Sequence, residues 1–109
     1  MAFNPNDKLT RENFALLPPL CTDGAWGTEM LKRGAKPGQM CDTWNVDAPE
    51  KVFDVAKSYV DAGSQIILTN TFNSNRTVLA KHHMAERAAE LCTAGAAISK
   101  RAATGHAYV

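Results

Sequence analysis

Pro49-Glu50-Lys51-Val52-Phe53-Asp54-Val55-Ala56-Lys57-Ser58-Tyr59-Val60-Asp61-Ala62-Gly63-Ser64-Gln65-Ile66-Ile67-Leu68-Thr69 is the stretch on which a fold assignment turns. Val52, Val55, Ala56, Tyr59, Val60 and Gly63 recur near the helical period of about 3.6 residues, which gives one apolar face. Asp47 can cap this helix, Pro49 sits near its first position, and Glu50 suits the positive helix end. Asp61-Ala62-Gly63 closes it. Ile66-Ile67-Leu68 then forms a continuous apolar run, the pattern of a strand covered on both faces in a parallel sheet.

Beyond this unit, Asn70–Asn75 reads as a polar loop and 76–83 as a short helix. Met84 to Ala103 reads as a longer helix with Met84, Ala88, Leu91, Cys92, Gly95 and Ile98 on one side. Gly95 costs it about 1 kcal/mol relative to Ala. Gly105–Val109 resembles the start of another strand. Towards the N-terminus, Leu20-Cys21-Thr22 reads as a short buried strand and Thr28–Arg33 as a helix closed by Gly34. Residues 34–47 form a long loop between that helix and the next. Thr10–Phe14 begins a short helix with Thr10 as N-cap, ended by Pro18-Pro19, and 1–9 is a loose tail. The chain therefore divides into 1–19, a tail with a short helix, and 20–109. The order strand, helix, strand, helix, strand start implies an α/β fold with a parallel sheet. In such folds function sits where strands end and helices begin, here at Asp23–Thr28 and Thr69–Arg76.

With 109 residues, the chain is the size of one domain. A complete (β/α)8 barrel needs about 250 residues, so the chain cannot be one by itself. A formal net charge of +1 gives no electrostatic case for nucleic acid or an anionic membrane as partner. No segment approaches the roughly 20 apolar residues of a membrane span. The N-terminus lacks the apolar core of a secretory signal. Three widely spaced cysteines, Cys21, Cys41 and Cys92, argue against a disulfide framework, and a reducing cytoplasm is the expected location.

The first loop, Asp23-Gly24-Ala25-Trp26-Gly27-Thr28, combines a carboxylate with glycines that let backbone N–H groups approach a ligand. An anion for an ammonium and amides for a carboxylate together suit an amino-acid zwitterion. The plain alternative is a tight turn in which Asp23 only caps a helix. The loop lacks the Gly-x-Gly-x-x-Gly spacing of a dinucleotide site, and no phosphate loop occurs. The second loop, Thr69-Asn70-Thr71-Phe72-Asn73-Ser74-Asn75, offers hydroxyls and amides that can donate and accept. Its alternative is a solvated turn. Adjacent His82 and His83 point in different directions on a helix and read as a solvated helix end. Cys92 reads as a core residue, Cys21 as part of the first strand and Cys41 as a loop-rim residue. No Cys-x-x-Cys or His-x-x-x-His spacing marks a metal site. Trp26 and Trp44 fit either a core or a pocket wall.

Taken in order, four stretches resemble the homocysteine S-methyltransferase family, of the type found in methionine synthase and betaine–homocysteine methyltransferase. They are Thr22-Asp23-Gly24-Ala25-Trp26-Gly27-Thr28-Glu29-Met30-Leu31, Cys41-Asp42-Thr43-Trp44-Asn45, Pro49-Glu50-Lys51-Val52, and Ala62-Gly63-Ser64 with Ile67-Leu68-Thr69-Asn70-Thr71-Phe72-Asn73-Ser74-Asn75-Arg76. The resemblance runs from about Leu20 to the end. It implies the N-terminal part of a (β/α)8 barrel, about β1-α1-β2-α2 and the start of β3. It also implies methyl transfer to the sulfur of homocysteine, giving methionine. Asp23 matches the carboxylate that faces the substrate ammonium. Gly24 and Ala25 match the turn whose backbone approaches the substrate. Thr69 matches a hydroxyl near the substrate carboxylate, and Thr71, Phe72 and Asn73 continue the wall. The family holds zinc through later cysteines, including an adjacent Cys-Cys flanked by glycines. Zinc lowers a thiol's pKa so that the nucleophilic thiolate forms near neutral pH. Nothing here matches those cysteines, so no metal ligand is assigned to this chain.

The methyl donor differs between members: a methylcobalamin or methylfolate system, betaine, or a methylsulfonium compound. The expected ligand is homocysteine or a related thiol. The isolated chain is expected to be inactive, as the N-terminal portion of a longer enzyme. Two other readings stand beside this one. The first is a non-catalytic α/β amino-acid-binding module that self-associates or is complemented by the remainder of the barrel. The second is a different barrel enzyme that shares only the first turn.

Overall fold

The computed structural model describes residues 1–109. Six α-helices form in order: α1 (Arg11–Leu16), α2 (Gly27–Lys32), α3 (Trp44–Asp47), α4 (Pro49–Asp61), α5 (Arg76–Ala80) and α6 (Ala88–Ala103). Single 3-10 turns at Cys41–Thr43 and Ala85–Arg87 lead into α3 and α6. About half of the chain is helical, and no helix is long and apolar enough to cross a membrane.

The expected parallel sheet of an α/β barrel start does not form. Its three proposed strands meet only through two isolated parallel bridges, Thr22 with Ile66 and Ile66 with Tyr108. The reason lies in the backbone groups that a longer ladder would need. Cys21 N–H donates to the Gln65 side chain at 2.9 Å, Leu68 N–H donates to Asp23 Oδ2 at 2.7 Å, and the Leu68 carbonyl accepts from Ser99 Oγ at 2.8 Å. Side chains thus take the groups on either side of the Thr22–Ile66 bridge, and beside the second bridge the last backbone bond runs from Ile67 N–H to the Tyr108 carbonyl at 2.9 Å. The expectation of β1-α1-β2-α2 with the start of β3 is corrected accordingly.

The helix at 49–61 follows its periodicity. Val52, Val55, Ala56 and Val60 are buried, with Pro49 at its start and Gly63 just past its end at φ +101°. Full burial of each valine is worth about 1.5–3 kcal/mol. The face divides between two apolar clusters. Val52 and Val55 join Met30, Ala35, Trp44 and Ile98, whereas Ala56 and Val60 join Ile67, Ala102, Ala103 and Ala107. Helices α4 and α6 therefore form the packed centre.

Several local expectations shift. Asp47 ends α3 rather than capping α4, whose N-cap is Ala48 with no side-chain bond. Residues 34–47, read as loop, contain the 3-10 turn and α3. Cys92 is exposed rather than core, although its thiol donates to the Ser74 carbonyl at 3.2 Å. Thr10 does cap α1, accepting from Asn13 N–H at 3.0 Å, yet α1 buries no residue.

Candidate functional site

The bridges bring the two polar loops side by side. Asp23 lies just past the Thr22 bridge and Leu68 two residues past Ile66. Asp23 Oδ2 accepts from Leu68 N–H at 2.7 Å and from the Trp26 indole N–H at 2.7 Å. One carboxylate oxygen therefore ties the first loop to the second and holds the indole in place. A cavity of about 330 Å³ opens between them, at the lower end of the range for small-molecule sites. Gly24, Trp26 and Met30 line it on one side, and Thr69, Phe72 and Asn73 on the other.

Gly24 is held to its small size by a neighbour. A Cβ there would lie 3.2 Å from the Tyr59 hydroxyl, which donates to the Ala25 carbonyl at 2.5 Å. Burial, with the nearby Glu29 and Asp23 charges, raises the Tyr59 pKa and keeps this donor protonated. No acceptor within the chain takes the N–H groups of Gly24, Ala25 and Trp26, so the turn presents unpaired donors.

A buried polar network sets the second loop. Asn45 Nδ2 donates to the Asn70 carbonyl at 2.8 Å and to the Leu91 carbonyl at 3.0 Å. Asn70 Nδ2 donates to Asn45 Oδ1 and to the Cys41 carbonyl, each at 3.0 Å. Asp42 Oδ2 accepts from Asn73 N–H at 3.0 Å and from the Ser74 hydroxyl at 2.5 Å. Asp42, Asn45, Asn70 and Ser74 are all buried, and no enclosed side-chain N or O in the chain lacks a partner. Fully satisfied buried networks of this kind rigidify the segment they hold. Helix α6 can approach the loop because residue 95 is glycine. A Cβ there would stand 2.7 Å from Asn45 Nδ2 and 2.8 Å from Thr71 Cγ2.

The residues singled out from sequence fall in three places. Gly24, Thr69, Phe72 and Asn73 line the cavity, with Phe72 92% exposed at its rim. Asp23 crosslinks the two walls. Ala25 and Thr71 are not among the lining residues, Ala25 being bonded through its carbonyl to Tyr59 and Thr71 Oγ1 lying 2.6 Å from Thr69 Oγ1. Met30, Gln39 and Asp42 also line the cavity without a sequence signal of their own, beside Cys41, expected at the loop rim, and Asn70 of the second loop. The only signal for Asp42 and Asn45 was their place in the stretch Cys41–Asn45. Periodicity could not flag them, because the turn they occupy is too short to show one. Burial, and secondarily the Asp42 charge, raises the pKa of the Cys41 thiol.

The family model of homocysteine S-methyltransferase matches residues 20–109. The chain belongs to the homocysteine S-methyltransferase family. The match begins at Leu20, beside the first bridge, and covers both cavity loops. No curated protein matches the chain. Membership in the homocysteine S-methyltransferase family brings methyltransferase function of that type. The residues present do not fit the zinc that the family implies. Such a site needs a cluster of thiolate, imidazole or carboxylate donors. No group of three or more His, Cys, Asp or Glu side chains here could hold a metal ion, and all three cysteines are free.

Proposed function

We propose that the cavity between the Asp23 turn and the Thr69 loop binds homocysteine, or a related thiol amino acid, for methyl transfer to its sulfur. One observation carries the reading: the Asp23 carboxylate accepts the Leu68 N–H, so the acidic turn and the hydroxyl-bearing loop are walls of one cavity. Asp23 Oδ1, which has no partner in the chain, faces the substrate ammonium. The unpaired N–H groups of Gly24 and Ala25, with the Thr69 hydroxyl, receive the substrate carboxylate. Thr71 orients Thr69 through their hydroxyl contact, and Phe72 and Asn73 continue the wall. Met30 and Trp26 supply apolar surface for the methylene groups.

Bound zinc would supply a deprotonated sulfur in the family's chemistry, but no residue here serves as its ligand. The role of this chain is to bind and orient the amino acid. The isolated 109 residues are therefore expected to form no methionine. Zinc-dependent methionine formation by this chain alone, with any of the family's methyl donors, would overturn that expectation.

Calorimetric titration with L-homocysteine tests the binding role. The wild-type chain is expected to bind. Asp23→Asn, which keeps one oxygen to accept from Leu68 and Trp26 but loses the charge, is expected to weaken binding about ten-fold or more. Thr69→Val, which leaves the Asp23 crosslink in place, is expected to weaken it less. Equal affinity in all three proteins would contradict the assignment.

A further inference from the structure

The two oxygens of Asp42 lie in unlike surroundings. Oδ2 accepts two hydrogen bonds from the second loop. Oδ1 accepts none from the chain, although no enclosed side-chain oxygen goes without a partner. Oδ1 therefore meets open space, and the open space beside Asp42 is the cavity it lines. The residue is only 3% exposed and takes part in no ion pair. A carboxylate in no ion pair, with one oxygen committed to the loop and the other opening on the cavity, is placed to accept a donor from a ligand.

The geometry points to Asp42 as a second anionic contact of the cavity, one whose Oδ1 accepts an N–H of the α-ammonium group of an amino-acid ligand. This rests on the pocket reading above and adds to it a residue with a dual task. Oδ2 positions Asn73 and Ser74, while Oδ1 touches the ligand. An ammonium carries three N–H donors, more than Asp23 Oδ1 alone accommodates well. Two carboxylates from different loops would favour the free α-amine, so that the thiol acid lacking it binds more weakly.

The test compares L-homocysteine with 4-mercaptobutyrate, the same thiol acid without the amine, by calorimetric titration of the 109-residue chain. Asp42→Asn is expected to lower homocysteine affinity about ten-fold while leaving mercaptobutyrate affinity unchanged, since only the former offers a cation. Ser74→Ala removes a donor from Oδ2 only. It is expected to lower the melting temperature and to leave the ratio of the two affinities as in wild type. If Asp42→Asn lowers both affinities equally, or if Ser74→Ala changes the ratio as much, Asp42 only shapes the loop and the inference is overturned.

The wild-type protein provides a check that no folding defect can obscure. In a 13C-labelled chain, the Asp42 Cγ resonance is expected to move on adding homocysteine and to stay fixed on adding mercaptobutyrate. No movement with homocysteine overturns the inference. The two failures are distinguishable. Absence of any homocysteine binding to wild type defeats the pocket itself. Binding that depends on Asp23 but not on Asp42 defeats only this addition.

Discussion

The pair of helices α4 and α6 and the loop region around the cavity are held together by different means. The helices meet through carbon: Val52 and Val55 share one buried cluster with Ile98, and Ala56 and Val60 share the other with Ala102 and Ala103. The cavity walls meet through Asp23, Asp42, Asn45 and Asn70, each of which fastens a backbone group of a distant segment. The first kind of packing tolerates a change of shape gradually. The second fails when one atom is removed, because the partner is left buried and unbonded.

Leu91 joins a fully buried side chain to the polar network, since its carbonyl accepts from Asn45. Leu91→Ala should be the most damaging single change, costing about 2–5 kcal/mol in denaturant unfolding. Gly95→Ala should follow at about 1–3 kcal/mol, because the added Cβ collides with Asn45 Nδ2 and Thr71 Cγ2. It should also loosen the loop, which amide exchange at Asn70–Ser74 would register. Asn45→Ala removes two donated bonds and one accepted bond without touching the apolar clusters. It is expected to cost about 1–3 kcal/mol, and a cost near zero would erase the contrast drawn here.

Alkaline pH should probe Cys41 at the cavity and Tyr59 behind the first loop. Burial raises the pKa of Cys41 above its ordinary 9.0 and that of Tyr59 above its ordinary 10.0. The unfolded chain then loses these protons at lower pH than the folded chain. Stability should hold below the ordinary values and decline as pH climbs past them, seen as a lower melting temperature at about pH 10 than at about pH 8. The smallest effect should come from α1. Phe14 is half exposed, and Phe14→Ala should change stability by no more than about 0.5 kcal/mol.

The same contrast explains what was legible in the sequence. Periodicity located α4 and its buried face, because Val52, Val55, Ala56 and Val60 repeat with the helical turn. Thr10 and Gly63 marked their helix ends for reasons local to the chain. The sheet was misread because Ile66-Ile67-Leu68 has the composition of a strand. Whether such a run extends into a ladder depends on side chains far away in sequence, here Asp23 and Ser99, which took the groups that further pairing needs. Cys92 was misread for a similar reason: its helical register fits the apolar face, yet it lies outside the packed contact. In the site, the two loops were visible from their polar and glycine content. Asp42 and Asn45 were not, because a buried polar residue looks like a surface residue until its partners are known.

Backbone amide mapping by 15N NMR during titration with L-homocysteine tests the central claim most directly. The expected result is saturable movement confined to Gly24, Ala25, Trp26, Leu68, Thr69 and Asn73, amides of the two loops between which the cavity opens. Movement in only one of those loops, movement elsewhere such as around Gly105 and Tyr108, or no movement at all would contradict it.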